Sequence, residues 1–276
     1  MPELPEVEVS RLGLLPHLTG QRIQGAVFRT PKLRHELPAS LAERLKGLRI
    51  DAIQRRGKYL LFDCESRRGG GWLILHLGMS GSLRLVRPGT PGQKHDHVDL
   101  VFAGTALRFR DPRRFGTLVW QPGENVAQHP LIAVQGIEPL SSDFDGHWLH
   151  TATRQRAAPI KTCLMDSHLI VGIGNIYAAE SLFLAGISPL RAAGSLSRSQ
   201  CERLSAAIKT ILQRAIAAGG SSVRDYVHSD GGAGSFQLSC AVYGRAGEPC
   251  PNCLRPVRCV RQGGRSTFYC PHCQKK

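Results

Sequence analysis

The 276-residue chain lacks any apolar run approaching the roughly 18–20 residues of a membrane span, which excludes an integral membrane helix. Its opening, Met1-Pro2-Glu3-Leu4-Pro5-Glu6, lacks the basic-then-apolar order of a secretory leader, so a reducing cytoplasm is the expected compartment. It has no internal repeat and no low-complexity tract. Its 42% hydrophobic and 21% charged residues are ordinary globular usage and exclude wholesale disorder. The clearest shortage is of acidic residues: 21 Asp+Glu stand against 36 Lys+Arg, a net charge of +15. A field of that size attracts polyanions, with nucleic acid ahead of ribosomal, membrane-surface or acidic-protein partners. The surplus is uneven, +8 over residues 1–130, +2 over 131–220 and +5 over 221–276, so two basic ends flank a nearly neutral middle.

What is present reads as α+β. Short runs rich in Ile, Val, Leu, Phe and Trp at 23–30, 48–55, 58–63, 71–77, 82–87, 97–103 and 116–120 are separated by Gly, Pro, Asp or Arg clusters. That spacing predicts an antiparallel β-sandwich. One helix precedes it, starting at Pro5 with Glu6 and Glu8 at its positive end and stopping near Leu15, before Pro16. The period then changes. Asn175 is the expected N-cap of a helix over 176–185, ended by Gly186. Ser197-x-x-Gln200 is a capping box ahead of a helical run that Gly219-Gly220 stops. The expected domains are therefore a β-rich 1–130, a helical 131–220, a Ser/Gly/Asp/His loop at 221–239 and a cysteine module at 240–276.

Nine cysteines are an odd number. Five are scattered, but Cys250-x2-Cys253-x16-Cys270-x2-Cys273 has the spacing of two zinc knuckles. Four thiolates fill a tetrahedron and leave no open position, so the metal is expected to be structural. Gly263-Gly264 between strand-like flanks suits a β-hairpin that would hold Arg258, Arg261 and Arg265 rigidly.

Two readings of the terminus stand side by side. Pro2 and Pro5 can simply start a helix. Alternatively, loss of Met1 would leave Pro2 as a free secondary amine, a nucleophile that forms Schiff bases, with Glu3 beside it to move protons.

The motifs MPELPEVE, QRRGKYLLF (54–62), HLGMSGSLR (76–84), KHDHVDLVF (94–102), DPRRFG (111–116), VGIGNIYAAESLF (171–183) and VYGRAGEPCPNC…TFYCPHCQ recur in order along nearly the whole chain. In them the sequence resembles the formamidopyrimidine-DNA glycosylases, base-excision enzymes for oxidised purines. The resemblance implies an N-terminal β-sandwich, a helical domain with a helix–two-turn–helix motif and a C-terminal zinc finger. It implies a monomer acting on double-stranded DNA that carries oxidised bases or abasic sites, with one structural zinc and no catalytic metal or organic cofactor. By the same resemblance Pro2 is the nucleophile at C1′, Glu3 the general acid/base and Lys58 a catalytic, phosphate-contacting lysine. Glu6, Glu138 and Glu180 support the active site. Met79, Arg113 and Phe115 are the residues that intercalate once the damaged nucleotide is extruded. His95, Arg114, Lys161, Asn175 and Arg265 contact DNA, and a lesion-covering loop lies within 221–239. The chain departs from the family in a longer loop at 66–71 and in Ile137, where proline is common.

Two other functions compete with an oxidised-purine glycosylase/AP lyase. The endonuclease VIII branch prefers oxidised pyrimidines but typically opens Pro-Glu-Gly-Pro, against Pro-Glu-Leu-Pro here. A non-catalytic zinc-ribbon DNA binder has no need of Pro2, Glu3 and Lys58 together.

Overall fold

The computed structural model describes residues 1–65, 69–220 and 240–275. The chain divides into two compact units. The first contains Met1–Ala133 with residues 218–220, the second Val134–Ala217 with residues 240–275. The lesion-covering loop expected within 221–239, and residues 66–68 of the longer loop, lie outside the described residues.

The first unit opens with α1 (Leu4–Leu18), followed by β1 (Gly25–Phe28) and α2 (Ala39–Leu45). β2 (Arg49–Arg56), β3 (Tyr59–Glu65), β4 (Gly71–His76), β5 (Ser82–Val86), β6 (Asp96–Val101), β7 (Ala106–Arg110) and β8 (Thr117–Pro122) complete two four-stranded antiparallel sheets. Their orders are β1-β6-β7-β5 and β2-β3-β4-β8. Alternate residues of both sheets, among them Ile53, Leu60, Phe62, Leu73 and Leu75 from one and Val98, Leu100, Leu107 and Phe109 from the other, form a single core with Val7, Leu14 and Leu18 of α1. Leu61, Trp72 and Ile74 point to the opposite face and are covered by Ile132 of the short α3 (Pro130–Ala133). The expected sandwich is present.

Three local expectations differ. Helix α1 runs through Pro16 to Leu18. Proline removes one N–H bond near the end of the helix, while burial of Leu18 and a bond from Thr19 N–H to Leu15 O hold the last turn. The helix also begins one residue before Pro5, at Leu4, which puts Glu6 in its first turn and Glu8 beyond it. Strand β7 was not among the expected strands, because Arg108 and Arg110 interrupt its apolar pattern. Arg108 is buried instead against Asp99, its direct partner on the neighbouring β6, and against Asp96.

That cluster fixes the pairing of β6 with β7. Burial alone would raise the Asp99 carboxyl, but hydrogen bonds from Arg108 and Arg29 more than offset it and hold it below the usual carboxylate range. Replacing Arg108 by Leu leaves Asp99 with only Arg29 and Asp96 with only Arg110 as ionic partners, both carboxylates still buried, and is expected to cost about 3 kcal/mol. Because the Asp99 pKa is depressed, this stability is present above the ordinary aspartate pKa near 4 and is lost as pH falls through the lowered value. Urea melts of both proteins at pH 7 and pH 3 should show the gap narrowing in acid; an unchanged gap would remove the electrostatic account.

The second unit is helical, with α4 (Gly146–Thr153), α5 (Ile160–Leu164), α6 (Asn175–Leu184) and α7 (Arg198–Ala217). Residues Ile176 to Phe183 of α6 are all buried, which makes it the central helix of this unit. The capping box ahead of α7 is formed: Ser197 N–H donates to Gln200 Oε1 at 2.9 Å, and Gln200 N–H to Ser197 Oγ at 3.3 Å. Gly186, Gly219 and Gly220 all take positive φ where the helices end. The N-cap of α6 is Gly174, and Asn175 is its first helical residue. The Asn175 side chain is committed elsewhere, as shown below. β9 (Arg258–Gln262) and β10 (Arg265–Tyr269) pair through Gly263-Gly264, both at positive φ, as the expected finger hairpin. Among the described residues no helix is long and apolar enough to cross a membrane.

Candidate active site and nucleic-acid interface

Pro2 and Glu3 are buried at the head of α1. Glu3 is its N-cap, and Glu6, the third helical residue, reaches back to accept the Glu3 N–H at 2.7 Å, which closes a capping box. The box explains why Glu6 is fully buried: it holds residues 2 and 3 in one conformation. Gly220, at φ +80°, lies against the Glu6 carboxylate, and a Cβ there would stand 3.1 Å from Oε1.

Lys58 lies outside the expected strand 58–63. It is the second residue of a two-residue turn after Gly57, φ +56°, with Arg56 and Tyr59 paired on either side. A turn residue presents its side chain at the end of the sheet, where a strand residue would commit it to one face. The turn is tied to α1. Glu8 accepts from Arg11 Nη2 at 2.6 Å and from Arg55 Nε at 2.9 Å, and Arg55 Nη1 donates to the Gly57 carbonyl at 3.1 Å. Burial raises the Glu8 carboxyl, and the two guanidiniums outweigh that and lower it, so the tie is ionic at neutral pH.

His76, at the end of β4, had no assigned role in the sequence. Burial first, then the charges of Lys58 and Arg34, push its pKa down to about 4, so it is neutral at physiological pH. Its Nδ1 accepts the Gly78 N–H at 2.9 Å, which leaves the proton on Nε2. A neutral donor of fixed tautomer therefore stands beside Lys58. The only signal in the sequence was its place in HLGMSGSLR.

Met79, Arg113 and Phe115 are exposed at the tips of two loops of this same unit, 77–81 and 111–116. The Arg113 guanidinium lies 4.8 Å from the centre of the Phe115 ring. The loops touch through glycine: a Cβ on Gly78 would meet the Phe115 carbonyl carbon at 2.5 Å. His95 and Arg114 occupy left-handed backbone, at φ 76° and 57°.

In the second unit Lys161 is buried, and its ammonium donates to Asn175 Oδ1 (2.6 Å), Thr267 Oγ1 (2.7 Å) and the Ser266 carbonyl (3.2 Å). Asn175 Nδ2 donates to the same carbonyl at 3.0 Å. Lys161 is thus an internal strut that joins the start of α6 to the finger hairpin beside Arg265. Lys161 and Arg265 also line one cavity of about 330 Å³ together with Arg156 and Gln262. Glu180, buried in α6, accepts the backbone N–H groups of Ala241, Val242 and Tyr243 at 2.8–3.0 Å, and so anchors the start of the C-terminal segment. Glu138 is half-buried in a turn where its carbonyl accepts from Ser141. The structure thus brings Pro2, Glu3, Glu6 and Lys58 into the first unit, and Glu138 and Glu180 into the second.

The sulfurs of Cys250, Cys253, Cys270 and Cys273 all lie within 4.8 Å of one another. Cys250 and Cys273 are 3.8 Å apart and Cys253 and Cys270 3.5 Å, too long for disulfides. A tetrahedral zinc with Zn–S bonds of about 2.3 Å needs sulfurs about 3.8 Å apart, so the four residues fit one ion.

Three family models match in succession. Residues 1–118 match the formamidopyrimidine-DNA glycosylase N-terminal domain, 135–227 its H2TH domain, and 247–276 the zinc finger found in FPG and IleRS. The chain belongs to the formamidopyrimidine-DNA glycosylase family. It is 62% identical over 276 residues to the formamidopyrimidine-DNA glycosylase of Dechloromonas aromatica, covering 99% of this chain and all of that one. It is 52% identical to that of Stenotrophomonas maltophilia over the full length of both. Among solved structures, the MutM (Fpg) protein from Thermus thermophilus superposes with a TM-score of 0.87 at 41% identity, covering 99% of this chain and 98% of that one. A Lactococcus lactis Fpg mutant in complex with Fapy-dG-containing DNA superposes over both full chains with a TM-score of 0.92 at 37% identity. The fold and the zinc-binding finger of this family member agree with the reading of its sequence.

Proposed function

We propose that this family member is a bifunctional DNA glycosylase/AP lyase that removes oxidised purines, 8-oxoguanine opposite cytosine and formamidopyrimidines, through an N-terminal proline Schiff base. The observation that carries the reading is at the N-terminus. Residue 2 is buried at the head of a helix whose capping box also fixes Glu3, while an ion cluster on the same helix holds the Lys58 turn.

After loss of Met1, the Pro2 amine attacks C1′, the glycosidic bond breaks, and the base leaves with a proton. Glu3 supplies the proton to O4′ as the sugar ring opens to an iminium. Removal of a C2′ proton breaks the C3′–O bond, a second elimination breaks the C5′–O bond, and water releases Pro2. A one-nucleotide gap remains. Met79, Arg113 and Phe115 fill the void left by the extruded nucleotide. Lys58, His95, Arg114, Asn175 and Arg265 take phosphates, with Lys161 acting through Asn175 and the finger. Residues 1–130 carry the chemistry, 131–220 and 240–276 the DNA grip, and 221–239 the cover over the lesion. The protein works as a monomer in the bacterial cytoplasm.

The test is borohydride trapping on duplex DNA with 8-oxoguanine opposite cytosine. An adduct, and a β,δ-eliminated gap without borohydride, is the expected result. An adduct on thymine glycol alone would move the chain to the pyrimidine branch. No adduct on either from protein that begins at Pro2 would leave a DNA binder.

Phosphate contacts are expected to dominate affinity. Log K should fall linearly with log salt, and Arg265→Ala should reduce the slope by about one. A slope near zero, measured by fluorescence anisotropy, would rule this out.

A further inference from the structure

Asp111 is fully buried although the four residues that follow it, Pro112 to Phe115, are exposed. Nothing above gives it a role. Its carboxylate ties the two wedge loops together. Oδ1 accepts from the Ser80 hydroxyl at 2.7 Å and from Arg113 N–H at 3.3 Å, and Oδ2 accepts from Gly116 N–H at 2.7 Å. Ser80 Oγ in turn accepts Arg113 N–H at 3.1 Å. Ser80 follows Met79, and Arg113 and Gly116 bracket Phe115.

The Asp111 main chain reaches a third loop. Its N–H donates to the His95 carbonyl at 3.0 Å, and its carbonyl accepts from Arg114 N–H at 3.2 Å and from His97 Nε2 at 2.9 Å. His95 and Arg114 are the two non-glycine residues of this unit in left-handed backbone among those described, and Asp111 bonds to both. Such a conformation persists only where its surroundings over-determine it.

We propose that Asp111 is the positioning residue that sets Met79, Arg113 and Phe115 in one rigid wedge and holds His95 and Arg114 beside it. The inference rests on the wedge reading of those three side chains. A wedge must enter the stack before the nucleotide leaves, so its tips have to be ordered beforehand. A misplacement of about 1 Å in a positioning element costs on the order of 100-fold in rate. Asp111 touches neither DNA nor the reacting atoms in this scheme; it acts through the loops.

Asp111→Asn keeps the size but turns an acceptor into a donor, so one of Ser80 O–H, Arg113 N–H or Gly116 N–H faces another donor. Excision from duplex DNA should fall about 10- to 100-fold. The fluorescence rise of a 2-aminopurine placed opposite the lesion, which reports the wedge, should disappear. Borohydride trapping on single-stranded abasic DNA, which has no partner base to displace, should stay within about twofold of the unmodified protein. Ser80→Ala, a milder cut in the same clip, should show the same pattern at smaller size. Hydrogen exchange at the Arg113 and Gly116 amides should accelerate in both variants.

Unchanged duplex excision and fluorescence would overturn the proposal. Equal losses on duplex and single strand would also overturn it, because Asp111 would then serve only general stability. If the unmodified protein trapped no DNA at all, the function proposed above would fail, while unaltered exchange at Arg113 and Gly116 would still refute the clip.

Discussion

Protein that retains Met1 is expected to form no borohydride-stable adduct with duplex DNA carrying 8-oxoguanine opposite cytosine. With Met1 attached, the nitrogen of Pro2 belongs to a tertiary amide. Its lone pair is delocalised into the carbonyl, so it can neither attack C1′ nor become an iminium. Removal of Met1 frees a secondary amine, and an α-amino group with a pKa near 8 is in part neutral at physiological pH. The difference in trapping rate should reach about 1000-fold or more. Pro2→Gly should be milder, about tenfold slower, because glycine still offers an amine but loses the ring that fixes the backbone. Trapping read on gels beside mass spectrometry of the N-terminus decides the matter. Undiminished trapping by protein shown to keep Met1 would eliminate Pro2 as the nucleophile.

Loss of zinc should have the second large effect. The finger has few apolar residues of its own. Val257, Cys250 and Cys270 are buried in a small cluster with Val242 and with Ala179 and Phe183 of α6, and Phe268 packs against its edge. So small a core cannot hold a hairpin in place, whereas a structural zinc site contributes about 10–16 kcal/mol of binding energy to folding. Cys250→Ser, or chelation, is expected to release the hairpin, remove the Ser266 and Thr267 partners of Lys161, and displace Arg265. DNA affinity should drop at least about 100-fold, the product of several lost phosphate contacts. The β-sandwich, whose core lies in the other unit, should keep its own thermal transition. Metal analysis should find one zinc per chain. Zinc-free protein with normal affinity would end the structural-zinc account.

Much of the fold was legible because its signals are local. Short apolar runs between Gly, Pro, Asp or Arg clusters marked seven strands, glycines marked helix ends, and Ser197 with Gln200 marked the start of α7. The misses share one cause, a local signal overruled by partners or burial supplied from elsewhere in the chain. Arg108 disguised β7 because its partner Asp99 is on another strand. Asn175 resembled an N-cap, but Lys161 and the Ser266 carbonyl, from α5 and the finger, claim its side chain. Pro16 resembled a stop, but burial of Leu18 in the sandwich core outweighs one lost helix bond.

The same division runs through the candidate site. Residue type and spacing by themselves determined the four-cysteine metal site, the basic surface charge, the order of the three modules and the motifs that mark the family. Those features depend on covalent neighbours, on counts and on short periods, all of which a linear chain displays. Tertiary structure alone decided that Lys161 is a buried strut, that Glu180 anchors the backbone at 241–243, that His76 is a neutral donor, and that Asp111 joins three loops. Each of those roles depends on desolvation and on partners brought close by folding, and a buried charge acquires its meaning only from the groups that surround it.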